Sequence, residues 1–132
     1  MIKYKDVLTK PDALTSWNKA LTTEIIDYIQ VNYVSTGKFI CHVGVFTDTT
    51  QSTTLIFSSQ ETFDEYFNDP CLSEWNAAKV NYNTANSIVR SKVSIETIDE
   101  TDPEYINNNM IHVLKTENES TIDIGEFIES VQ

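Results

Sequence analysis

Few side chains in this sequence are able to do chemistry. His42 lies between Cys41 and Val43 in a strand-like run, on the same face as Ile40 and Phe46. An imidazole there could act as a general base or proton donor in a pocket on a sheet face. No orienting partner stands near it in sequence, so a core or interface histidine with a satisfied hydrogen bond is the simpler reading. His112 reads as an ordinary surface or contact residue. Cys41 and Cys71 have no adjacent base or cationic setting and read as small hydrophobes. A disulfide needs close, correctly aimed Cβ atoms, which spacing alone does not set. Trp17, Trp75, Tyr28, Tyr66 and Tyr82 recur at helical spacing, which most simply marks a core. Four residues nevertheless make a candidate ligand cleft for a flat organic compound: Trp17, His42, Trp75 and Tyr82.

Several chemistries are excluded. Glycine occurs only at 37, 44 and 125, so there is neither a phosphate-binding loop nor a dinucleotide fingerprint. There is no CxxC pair, no HExxH and no calcium-binding loop. Two histidines without paired spacing make a metal site unexpected, and no cofactor is expected. Glu61, Asp64 and Glu65 open a helix, where carboxylates favour the dipole. No catalytic residue is assigned, and the balance leans away from an enzyme.

The elements that must position these residues follow from periodicity. Ile2 to Leu8 alternates as a strand, with Ile2, Tyr4 and Leu8 on one face and Lys3 and Lys5 on the other. Asp12 is a potential cap for a helix carrying Leu14, Trp17, Leu21, Ile25 and Tyr28, which ends before Gly37. Phe39 to Phe46 is apolar on both faces, so both are expected to be covered. With Thr53 to Phe57 it forms an antiparallel hairpin. Ser58 and Glu61 have capping-box spacing before Phe63, Tyr66 and Phe67. Asp69-Pro70 restarts the helix, whose stripe is Leu72, Trp75, Ala78, Tyr82 and Ala85. Val89 to Ile98 alternates again. The order predicts an α+β fold of the ferredoxin-like βαββαβ kind over residues 1–98: a four-stranded antiparallel sheet with two helices on one face.

Residues 99–132 read as an acidic C-terminal arm with a short strand over Met110–Leu114 and a terminal amphipathic helix capped by Thr121 or Asp123. The net charge is -11 over 132 residues. Residues 1–95 hold 10 acidic and 8 basic residues, whereas residues 96–132 hold 10 acidic and a single basic one, Lys115. A conventional nucleic-acid surface is therefore excluded over most of the molecule. Ile124, Phe127, Ile128 and Val131 form a candidate arm interface, too small to fold alone.

The stretch from Leu55 to Asn86 resembles part of the dimeric α+β barrel superfamily, which includes the antibiotic-biosynthesis-monooxygenase-like family. The resemblance rests on Ile56-Phe57-Ser58-Ser59, then Glu61, Phe63, Tyr66 and Phe67, then Leu72, Trp75 and Ala78, and the element order of residues 2–98 fits it. It implies a dimer whose two sheets pack face to face. Members often carry Trp at the end of the third strand and His within the second helix. Here Phe57 and Tyr66 stand nearest those positions, so the oxygen chemistry is not implied.

Three functions are compatible. The first is a structural or protein-interaction protein, a phage or virion component among the candidates, assembling as a homo-oligomer (dimer or larger) through its sheet face and arm. Asn, Ile, Lys, Tyr and Phe total 45 residues against 12 of Gly, Ala, Arg and Pro, the composition of an AT-rich genome. The second is a small α+β barrel enzyme or ligand binder acting on an aromatic compound. The third is an acidic decoy for a basic protein. No apolar stretch is long enough for a membrane span and none resembles a signal peptide, so the expected setting is cytoplasmic, or the virion.

Overall fold

A computed structural model describes residues 1–18, 22–108, 112–116 and 121–123. Strand β1 (Ile2–Thr9) buries residues on both faces, Tyr4 toward the helices and Lys3 toward Asp102 and Glu104. It is followed by helix α1 (Thr23–Ile29), which continues as a wider π-helical turn over Gln30–Val34. Strands β2 (Phe39–Phe46) and β3 (Thr50–Phe57) form the expected hairpin, closed by Thr47 N donating to Thr50 O at 2.9 Å. Helix α2 (Gln60–Phe67), a 3-10 turn (Pro70–Leu72) and helix α3 (Ser73–Ala85) precede strand β4 (Val89–Thr97).

These elements build the antiparallel four-stranded sheet β4-β1-β3-β2, with every helix before β4 on one face. The sheet then grows beyond a strict four-stranded ferredoxin-like arrangement. Strand β5 (His112–Thr116) adds parallel to β2, with His112 in register with His42, and β6 (Thr121–Asp123) adds antiparallel to β5. The expected strand over Met110–Leu114 thus runs from His112 in its described part. The expected terminal helix, with Ile124, Phe127, Ile128 and Val131, lies outside the described residues.

Two local expectations are corrected. The first helix begins at Thr23 rather than near Leu14. Thr22 is extended and its side chain accepts from Ile25 N at 3.3 Å, which makes it the cap. Asp12 instead closes an isolated turn, accepting from Leu14 N and Thr15 N at 3.0 and 2.9 Å. Leu14 is consequently 94% exposed. The capping box of α2 is Ser59 with Thr62, one residue beyond the Ser58–Glu61 pair. Asp69 behaves as expected: its carboxylate caps Cys71 N at 2.9 Å, and Pro70 opens the turn.

The main core fills the space between helices and sheet. Phe39, Phe57, Tyr33, Tyr66 and Leu72 are buried there, and Tyr66 packs edge-on against Tyr33 and Phe39 with centroids 5.1 and 5.2 Å away. Asp69 Oδ2 accepts from the hydroxyls of Tyr28 and Tyr33 at 2.7 and 2.6 Å, tying the first helical segment to the break between α2 and α3.

The opposite face of the sheet buries Cys41, Val43 and Ile56 beneath Ile98 and Tyr105. Both faces of β2 are thus covered, the second by the chain's own residues. Helix α4 (Pro103–Asn108) lies here, and its acids meet the strand lysines. Lys3 Nζ reaches Asp102 at 3.0 Å, Glu96 at 3.2 Å and Glu104 at 3.3 Å, while Lys5 Nζ reaches Glu104 at 2.8 Å. Thr54 donates its hydroxyl to Glu104. Burial opposes the charge on Lys3, but hydrogen bonds to Asp102 and Glu96 and the charge of Glu104 outweigh it and hold the ammonium above its usual range.

Candidate functional site

Between the helical layer and the sheet lies a cleft of about 420 Å³. That is within the range of small-molecule sites. Its floor is the helix-facing side of the strands: Tyr4 and Asp6 of β1, Phe39, His42 and Phe46 of β2, Thr53 and Leu55 of β3, and Arg90 of β4. Its roof is α1 and α3. The cleft exists because α3 does not present a continuous apolar stripe to the sheet. The residues it turns inward are Trp75, Asn76, Lys79 and Asn83, with the exposed Val80 at the rim, whereas Ala78 and Ala85 of the expected stripe are exposed. No residue of α1 or α3 is fully buried.

Of the four candidate cleft residues, Trp17, His42 and Trp75 line this space. Trp17 meets Phe46 edge-on at 5.9 Å and carries Lys10 Nζ 4.7 Å from its ring centroid. His42 stacks on Phe39 with rings 5.7 Å apart and 3° from parallel. Tyr82 is not part of the wall. Its hydroxyl donates to Ser16 O at 2.6 Å, so it anchors the segment that brings Trp17 in.

The polar groups of the site are ones the sequence reading passed over. Asp6 is 6% exposed; its Oδ2 accepts from Tyr4 Oη at 2.6 Å and forms an ion pair with Arg90, whose Nε lies 3.0 Å away. Burial, then the Asp6 carboxylate, push the Tyr4 hydroxyl above its usual range. Asp6 Oδ1 and Trp75 Nε1 are buried without a hydrogen-bond partner among the described residues. Lys79 Nζ stands 3.7 Å from the centroid of the Trp75 ring and makes no ion pair among the described residues. Burial, reinforced by Arg90 and opposed by Asp6, pushes Lys79 down to about 8. A signal for this polar roof was present: Trp75, Lys79 and Asn83 recur every four residues, with Asn76 and Val80 one step on, which places them on one helix face.

Among the described residues no group of three or more His, Cys, Asp or Glu side chains is placed to hold a metal ion. Cys41 is buried, Cys71 is exposed, and neither is in a disulfide. No helix among the described residues is long and apolar enough to cross a membrane. Neither a known family's sequence profile nor a curated protein matches the chain.

Proposed function

We propose that this protein binds a flat, largely apolar small molecule between its helical layer and its sheet. The observation that carries this reading is the cleft itself, walled by Trp17, Phe46, Phe39, Leu55 and Trp75 and furnished with a few polar groups. A protein built only for assembly gains nothing from a cavity of this size, since unfilled apolar space costs stability. Three acids of residues 96–132 add to the preference, because Glu96, Asp102 and Glu104 are engaged on Lys3 and Lys5 rather than held out for a basic partner.

Calorimetric titration with naphthalene derivatives (2-naphthol, 2-naphthamide and 2-naphthoate) tests this. For ligands of this size, dissociation constants on the order of 10–100 μM are expected. Thr53→Phe, which fills the cleft from the sheet side, abolishes the binding while circular dichroism shows the fold retained. Absence of saturable binding across the set, or equal binding to the filled variant, refutes the proposal.

A further inference from the structure

The geometry points to a carboxylate on the ligand, received by the Lys79 ammonium; this inference rests on the binding reading above. The cleft contains a cation without an ion-pair partner among the described residues: Lys79 Nζ, held over the Trp75 ring on the roof. The indole nitrogen of that ring is itself buried, so the ring's face supports the ammonium and Lys79 Nζ is the group that meets the ligand. A carboxylate oxygen can pair with it directly, with the ligand's aromatic body against the apolar wall.

The remaining charges around the cleft agree with this assignment. Among the described residues Asp6 on β1 is the one carboxylate lining it, and its charge is directed at Arg90 of β4 and the Tyr4 hydroxyl. Arg90 lies near enough to Lys79 to disfavour a second positive charge there. His42 of β2 and Tyr66 of α2 are the other titratable side chains on the walls. An anion would therefore enter a site with two cations and one carboxylate already paired, in a chain whose net charge is -11. Selecting an acid against that overall charge requires a local donor set of this kind.

The experiment compares 2-naphthoate with 2-naphthamide, its neutral counterpart, on the full chain. At pH 7 the acid is expected to bind at least tenfold more tightly. Lys79→Met removes that preference and Lys79→Arg keeps it, with the amide as internal reference in each variant. Because the free site loses its proton near pH 8, the acid's affinity falls about tenfold between pH 7 and pH 9, while the amide's stays level. Equal binding of acid and amide, or a preference that survives Lys79→Met, overturns this inference and leaves the binding reading standing. Failure of both ligands to bind overturns the binding reading and this inference with it.

Discussion

Lys3→Met isolates the ion cluster beneath α4, because methionine preserves most of the buried stem and removes only the ammonium. The Lys3 side chain is 7% exposed, against 16% for Asp102, 31% for Glu104 and 55% for Glu96. Glu96, more than half in water, loses little when its partner goes. Glu104 keeps Lys5 at 2.8 Å. Asp102 has no other cation among the described residues, and a hydrogen bond to a charged group is worth about 1.5–3 kcal/mol. Breaking a fully buried pair costs about 3–5 kcal/mol. The partial exposure of the carboxylates places this variant lower, at about 2–3 kcal/mol. With a urea slope of about 1.5 kcal/mol/M, the unfolding midpoint falls by about 1.3–2 M. Lys3→Met/Asp102→Asn recovers part of the loss, because it removes the stranded carboxylate. The pH dependence follows from the same contacts. The hydrogen bond from Lys3 lowers Asp102 against a small opposing effect of burial. Burial likewise opposes the charge of Glu104, but Lys5 and Lys3 outweigh it and keep it below its usual range. Carboxylates lowered in the folded state stabilise it above their unfolded values, near pH 4, and cease to do so as pH falls through the lowered ones. The penalty of Lys3→Met therefore shrinks under acid conditions. A loss under 0.5 kcal/mol at pH 7, or one that does not shrink in acid, refutes the reasoning.

Two further outcomes test the placement of other residues. Under native conditions one thiol per chain reacts promptly with an aromatic disulfide reagent, the exposed Cys71. Cys41 reacts only through unfolding, so two prompt thiols refute its burial. Gly37 follows the π-helical turn with φ +75°, and a Cβ there would meet nothing within 4 Å. Gly37→Ala therefore costs only backbone strain, about 1 kcal/mol, read as a fall of about 3–5 °C in the thermal midpoint. An unchanged or raised midpoint contradicts the left-handed conformation.

The sheet was legible in the sequence because its signals are short-range. The alternation of β1 and β4, the apolar run of β2 and the Asp69-Pro70 break each depend on a few adjacent residues. The start of α1 was not legible, because Leu14 and Trp17 continue a helical period that the chain does not follow. Trp17 instead turns its ring toward Phe46, a contact 29 residues away in sequence. The cleft was half legible. Aromatic residues announce themselves, so Trp17, His42 and Trp75 were found together, with Tyr82 as a neighbour that anchors rather than lines. Asp6, Lys79 and Arg90 were missed because a single charged side chain reads by default as part of a solvated face, even beside Val7, Val80 and Val89. Lys3 was legible only as a residue of the second face of β1, and its burial is set by acids about a hundred residues further along.

The sheet order carries a consequence for the time course of folding. β1 lies between β3 and β4, so both of its ladders join it to segments about 50 and 90 residues later in the chain. The Met1–Ile98 backbone pair and the Lys3–Asp102 contact extend that separation further. During synthesis β1 is therefore without a partner until β3 emerges and keeps one open edge until β4 does, whereas β2 and β3 are joined by a short turn. Long-range closure of this kind slows folding. Until Asp102 and Glu104 emerge, Lys3 and Lys5 keep that face of β1 hydrated, which protects a waiting strand edge from pairing with other chains.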